Sequence, residues 1–563
     1  MNKLILKSIF MLTVVLGLAS CSSGLKPLTA DYVKATPQPL EVVADKVPVT
    51  ITATFPAKWF NKNATVEVIP VLRYAGGEAW GTTYTYQGEK VAGNGQVISQ
   101  KNGANVTMTS SFNYVPAMEK SELYLTFNAK VGNKSVKLPE LKVADGVLAT
   151  STFAYAGSEN PAIAPDAFQR IINEKYEADI MFLIQQAELR SSELRKAEVG
   201  DWKGVVLSAN ETPNQNVNVE VSAYASPDGG YELNEKLAAQ RERNTNQYLK
   251  KELKKTEVPI SAKYTAQDWE GFKQLVEKSN IQDKNIILSV LSSYTDPEER
   301  EKQIKNISSV FSVLADEILP QLRRSRLIAN VEIIGKSDEE ISKLAASSPK
   351  SLTIEELLYA ATLAKTNDAK AAVYTTVAQV YPNDYRAYNN LGVIEFQKGN
   401  FVDSEKYFNK AESLIGNKSS ELNYNYALMA LMVGDKAKAQ QFLGSASNVS
   451  QLNSGLGLLA LENGNYTQAA NLLSGTTSNN AALAQILSKD YNKAMNTLNA
   501  VANPDATTSY LKAIVSARTN NLNEVVSNLK KAISLNPSYA SRAINDLEFA
   551  KYVTNAQFLN AVK

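Results

Sequence analysis

The sequence predicts a multidomain chain: an N-terminal all-β sandwich, a central α+β domain with a helical insertion, and a C-terminal α-solenoid. Three patterns carry that expectation. Apolar residues alternate with period two from Val47 onward. Strand and helix patterns then run β-α-β, helix, β across residues 160–340. Residues 350–563 hold no convincing strand, and small and aromatic residues recur there at a near-constant helical interval.

The chain opens with Lys3 and Lys7, an apolar stretch from Ile9 to Leu18, and the run Leu18-Ala19-Ser20-Cys21. A charged start, a short apolar run and a small-residue cleavage site read as an export signal over residues 1–20. The stretch falls short of the ~20 apolar residues of a membrane span. Cys21 is the single cysteine. Its setting resembles the lipobox of bacterial lipoproteins, which implies that Cys21 becomes the mature N-terminus and carries acyl chains. Residues 21–40, with Pro27, Pro37 and Pro39, read as a tether.

Composition narrows the function. Lys and Arg number 59 against 57 Asp and Glu, and loss of Lys3 and Lys7 with the signal makes the two equal. A net charge near zero gives no pull toward nucleic acid. There is no histidine, so Ser-His-Asp and Cys-His catalysis and imidazole-based zinc sites are excluded. With Cys21 on lipid, no thiol chemistry remains. No set of carboxylate, lysine or tyrosine side chains stands out. The expectation is a protein without enzymatic activity, cofactor or metal.

Over residues 41–148, Val47, Val49, Ile51, Ala53 and Phe55 alternate with polar residues, as on a half-buried strand. Ala64, Val66 and Val68 form a second strand, and Leu123 to Val131 a third, with Gly132-Asn133 as a hairpin turn. Trp59, Phe60 and Trp80 read as core or loop-anchoring aromatics.

Within residues 160–340, Ala178–Ile184 reads as a strand, Ser192–Leu207 as a helix, and Val217, Val219 and Val221 as a strand. A turn at Ser226-Pro227-Asp228-Gly229 follows, then a helix from Tyr231 to Lys255. Residues 266–325 look helical and charged, and Ile328–Ile334 closes the unit. Asn234-x-x-Leu237-x-x-x-Arg241, with the flanking strands and Leu322-Arg323-Arg324 before Val331-Glu332-Ile333, resembles the OmpA-like peptidoglycan-binding domain. The resemblance implies that the helix arginine, here Arg241, and an aspartate in the turn grip the stem peptide's diaminopimelate. Asn234 lies two helical turns from Arg241, on the same face. The family aspartate falls on Ser226, and the nearest acid is Asp228. The insertion from Asp268-Trp269-Glu270-Gly271 makes the chain similar to OmpA-like lipoproteins of Bacteroidota. In those, acids after the lipid cysteine favour surface export; Ser22 to Lys26 has none, which implies an outer-membrane anchor with the body facing the periplasm.

In residues 350–563, Tyr388, Leu391 and Gly392, then Gly399-Asn400-Phe401, then Tyr407, Phe408 and Ala411 fit the 34-residue tetratricopeptide pattern. Weaker copies contain Ala427, Gly457, Ala482 and Ala513, and an upstream copy contains Tyr359, Ala371 and Ala378. Such a solenoid is expected to fold alone and to dock an envelope protein on its concave face. The whole chain then reads as a lipid-anchored link between outer membrane and peptidoglycan that also holds a protein partner. The alternative is an assembly scaffold for a secretion or fimbrial system with no peptidoglycan binding.

Overall fold

The computed structural model describes residues 25–563 apart from residues 283 and 307. The export signal and Cys21 lie outside the described residues. The chain divides into two compact units, one running to Pro165 and resuming as Val377–Lys563, the other Asp166–Thr376. No helix among the described residues is long and apolar enough to cross a membrane.

The first unit begins with a strand-rich region. Lys46–Phe55 lies between Val33–Thr36 and Ala104–Asn113, antiparallel to both. A second sheet is centred on Ala64–Tyr74 and Ser121–Val131, with Tyr84–Gly88 continuing it and Lys134–Val136 closing the Gly132-Asn133 hairpin. The period-two alternation places Val47, Val49, Ile51, Ala53 and Phe55 inward, against Val66, Val68, Leu123 and Leu125 of the second sheet, in one hydrophobic core. Thr50, Thr52 and Thr54 face solvent. Trp59 and Phe60 pack on Phe55 inside that core, whereas Trp80 is exposed.

The described part of the expected tether is not a free linker. Leu25, Leu28 and Leu40 are buried in the sandwich core, and Val33–Thr36 is a sheet strand paired with Lys46–Phe55. Burying such a side chain is worth roughly 1.5–3 kcal/mol, enough to hold a polar, proline-bearing segment on the sheet.

The first unit's helices form pairs: Tyr385–Gln397 with Phe401–Ile415, Ser420–Met432 with Lys436–Gly444, Leu452–Glu462 with Tyr466–Leu472, Asn479–Leu487 with Tyr491–Asn499, and Ala506–Arg518 with Leu522–Leu535. The first helices start at 385, 420, 452, 479 and 506, so the interval falls from 35 residues to 27. Gly392, Ala427, Gly457, Ala482 and Ala513 are all buried in these first helices. A Cβ at Gly392 would sit 2.5 Å from the Phe408 ring, and one at Gly457 2.5 Å from Leu473, so two helices meet where no side chain fits. Each first helix ends on a left-handed residue, namely Gly399, Gly434, Gly464, Lys489 or Asn520, the conformation that closes a helix C-terminus.

The second unit is α+β. Its four-stranded sheet has the order Ile171–Met181, Arg324–Ile334, Gln215–Tyr224, Ile260–Thr265, with only the last pair parallel. Val199, Trp202 and Val206 of helix Ala197–Glu211 and Leu249 of helix Tyr231–Glu252 pack onto Ile180, Val219, Val221, Leu327 and Ala329 of the sheet. The edge strand Ile260–Thr265 is mostly exposed and short; its alternation of Ile260, Ala262 and Tyr264 with Ser261, Lys263 and Thr265 is legible in the sequence, and the sequence reading missed it. Residues 269–322 form the helical insertion, with a core of their own that includes Phe272, Ile287, Ile304 and Leu314. Its first helix, Trp269–Lys278, is capped by the Asp268 carboxylate accepting from the Gly271 N–H at 2.9 Å. Helices Asp338–Ser347 and Ile354–Leu363 follow, each opened by a capping box, Ser337 with Glu340 and Thr353 with Glu356.

Two substitutions test the repeat geometry by thermal unfolding of the full chain. Gly392→Leu overpacks the contact with Phe408 and is expected to destabilise by ~1–3 kcal/mol. Lys489→Gly relieves a left-handed residue that is exposed and is expected to stabilise by about 1 kcal/mol.

Candidate functional site

The first-helix face of the solenoid is covered by the chain itself. Residues 149–165 leave the sandwich and run along this face as a strap. Asparagine amides hold its main chain. Asn390 accepts from the Ala164 N–H at 2.8 Å and donates to the Ala164 carbonyl at 2.9 Å. Asn425 pairs with Ala162 in the same way, at 2.6 and 2.9 Å, and Asn480 with Tyr155, at 3.0 and 2.9 Å. Asn389 donates to the Ala162 carbonyl and links Asn390 to Asn425. All four asparagines are buried.

The three pairing asparagines share one repeat position, two residues before the small crossing residues Gly392, Ala427 and Ala482. That recurrence is legible in the sequence, but the tetratricopeptide pattern rests on apolar and small residues and does not single it out. In the intervening repeat the position is Gly455, and in the last it is Leu511.

The strap buries Thr150, Phe153, Ala156, Glu159 and Ala162, three residues apart, and also Ala149, Pro161 and Ala164 at its two ends. Phe153 packs on Tyr510 and Tyr539, at 5.3 and 6.3 Å between ring centroids, with the Arg542 guanidinium 3.8 Å from the Phe153 centroid. The Thr150 hydroxyl donates to Glu548, which also holds Arg518. Phe153, Ala156 and Ala162 belong to the same hydrophobic core as the helices. The solenoid is therefore not self-contained over residues 350–563. Its first-helix face, buried and polar, needs a covering main chain, and the strap supplies it.

Burial pushes several carboxyls of this unit upward, Glu462 and Asp546 among them. Glu462 rises to about 7, opposed by Lys436 and reinforced by Asp45, and Asp546 rises to about 6. Their folded values exceed their unfolded ones, so their contribution favours the fold at low pH and is lost as pH rises through about 6 to 7.

In the second unit, Ser226, Asp228, Asn234 and Arg241 do come together, around one turn. Asn234 donates to the Ser226 and Gly229 carbonyls at 3.0 and 2.8 Å. Arg241 is fully buried and donates to the carbonyls of Gln186, Tyr224 and Leu183 at 2.9, 2.8 and 3.2 Å, over the Phe182 ring. Burial, and secondarily Arg323, pushes it down to about 10. Placed this way, Arg241 ties strand and turn together and offers no exposed fork. Asp228 accepts from the Ser226 hydroxyl at 2.6 Å and from the Arg323 guanidinium at 2.9 Å. A cation of the protein itself thus sits on Asp228, the acid nearest to Ser226, where the family aspartate falls. Beside it Arg324 and Asp268 form a buried ion pair at 2.9 Å. In the sequence Arg323 and Arg324 read only as the lead-in to the last strand. Among the described residues, no group of three or more histidine, cysteine and acidic side chains is placed to hold a metal ion.

The tetratricopeptide-repeat family model matches residues 356–421, and the C-terminal region carries such repeats. No curated protein matches the chain. Among solved structures, the Cut9–Hcn1 hetero-tetramer of the APC/C is similar at 16% identity and a TM-score of 0.31, over 40% of this chain; this chain spans less than half, 46%, of that one. A tetratricopeptide repeat protein from Parabacteroides merdae is similar at 15% identity over 40% of this chain and 90% of that one, with a TM-score of 0.28. Pseudomonas aeruginosa PilF is similar at 16% identity over 38% and 98%, with a TM-score of 0.27.

Two outcomes are expected. Asn425→Ala leaves the buried Ala162 N–H without its partner and should destabilise the full chain by about 1–3 kcal/mol, with faster amide hydrogen exchange in the strap. Glu462→Gln should gain stability over wild type progressively from about pH 4.5 to about pH 7 and hold a constant advantage above that, read as melting temperature across the range.

Proposed function

We propose that this protein is a non-enzymatic adaptor, lipid-anchored through Cys21 in the outer membrane, that docks protein partners through its tetratricopeptide solenoid. The observation that carries the reading is the repeated asparagine position on the first helices. A side-chain amide that pairs with both the N–H and the C=O of one residue recognises extended main chain as such. The absence of histidine and the single cysteine in the lipobox support the rest.

Peptidoglycan binding is the second reading. It is favoured by the clustering of Ser226, Asp228, Asn234 and Arg241 around one turn. It is opposed by Arg323 on Asp228 and by the complete burial of Arg241. Binding diaminopimelate would require Arg323 to swing away and Arg241 to leave three carbonyls, each a charge-assisted bond worth ~1.5–3 kcal/mol. The adaptor reading without wall binding is therefore preferred.

The test combines three measurements on the full chain. Cys21→Ser is expected to move the protein from the membrane to the soluble envelope fraction. Wild-type protein is expected to stay in the supernatant when purified peptidoglycan is sedimented. Sedimentation that Asp228→Asn abolishes would overturn the preference and favour wall binding. Cross-linking in intact envelopes is expected to trap a partner on solenoid residues rather than on the β-sandwich.

A further inference from the structure

The strap is poorly matched to the face it covers at one point. Glu159 is buried in its middle, and the carboxylate accepts from the Asn480 amide at 2.7 Å. No lysine or arginine among the described residues pairs with it. The titratable group facing it from the neighbouring first helix is Tyr424, which is fully buried with a hydroxyl that has no hydrogen-bond partner. Asn480, from the other helix, is neutral. A buried carboxylate without a cation is costly, and a segment that served only as permanent core would be better off with an amide there.

The rest of the strap makes few demands on sequence. Its bonds to Asn390, Asn425 and Asn480 use main-chain groups alone, between and beyond two 3-10 turns, Thr150–Phe153 and Ala156–Ser158, and are open to any peptide that presents the same groups there. Apart from Phe153, the side chains that enter the hydrophobic core are the methyl groups of Ala156 and Ala162. Covalent attachment adds to these contacts by giving a short tethered segment an effective concentration on the order of millimolar.

We propose that residues 153–164 are a releasable plug, with Glu159 as its weak link, and that the asparagine-lined face beneath takes an extended segment of a protein partner. The partner segment has small side chains at every third residue and a neutral hydrogen-bonding side chain where Glu159 sits. This rests on the reading of the solenoid as a protein-docking module, and it adds the site, the ligand chemistry and the control. Burial pushes the Glu159 carboxyl up, whereas in the released strap it is ordinary. Seating is therefore favoured while Glu159 is protonated and weakens as pH rises through the raised value. Release uncovers the face, and the apparent affinity for a competing segment improves in proportion to the fraction released.

The experiment uses the full-length chain. Amide hydrogen exchange of residues 153–165 is measured at about pH 5 and about pH 8, corrected for intrinsic exchange. Wild type is expected to lose protection by about tenfold between them, while Glu159→Gln keeps it. Glu159→Ala, which removes the charge without adding an amide, is the second variant and is expected to behave like Glu159→Gln. The binding probe is a labelled synthetic peptide of residues 150–166 with the Glu159→Gln change. At about pH 8 it is expected to bind wild type about tenfold more tightly than it binds the Glu159→Gln chain, whose strap stays seated. Equal strap protection in wild type and both variants at both pH values overturns the plug. Loss of strap protection without any peptide binding leaves the weak link standing and overturns the docking face, and with it the adaptor reading of the solenoid.

Discussion

The pairing of asparagine amides with the strap's main chain is the constraint on which the first unit depends. Asn390, Asn425 and Asn480 each present a donor and an acceptor inside a buried face. Uncovered, those groups would have to be met by water; covered by a side-chain-rich helix, they would be orphaned. An extended main chain satisfies both at once, because each residue offers one N–H and one C=O. The segment that supplies it comes from the other side of Asp166–Thr376 in the sequence. The unit is therefore assembled from two stretches of chain, and the hydrophobic core that holds Phe153 and Ala162 also holds Tyr510 and Leu428.

The same economy recurs in the second unit. The turn after Gln215–Tyr224 carries an acid, Asp228, and a buried arginine, Arg241, which could in principle meet a ligand with two charges. Each is satisfied within the protein, Asp228 by Arg323 and Arg241 by three carbonyls. The helical insertion ends at this point, so Arg323 arrives from the last turn before the final strand. A charge that resembles a binding residue in sequence has here become part of the unit's internal bonding.

These two cases separate what a motif specifies from what its surroundings leave available. The tetratricopeptide pattern specifies paired helices and their close crossing, and Gly392 against Phe408 shows how tight that crossing is. It does not specify whether the resulting face is open. The Asn-x-x-Leu-x-x-x-Arg spacing specifies that Asn234 and Arg241 share a helix face. It does not specify whether that face looks outward or into the end of a sheet.

The local periodicities, and so the elements they imply, are set by neighbouring residues in the chain. The alternation from Val47 to Phe55 determined an inward and an outward strand face. The copies around Gly392, Ala427, Gly457, Ala482 and Ala513 determined a helical array with shortened middle repeats. Such patterns are legible because burial on one face imposes a period on adjacent residues. Other features are contacts between residues remote in the chain, and those follow from the folded packing alone. Leu25 and Leu28 are core residues because a sheet receives them, although their local composition is that of a tether. Residues 149–165 have no strong period-two or period-3.6 pattern. Their three-residue burial arises from solenoid residues more than 200 positions away, as with Ala162 and Asn425. Asp228 and Arg323 meet across 95 residues. The availability of a binding face depends on what covers it, and here the cover is a distant part of the same chain.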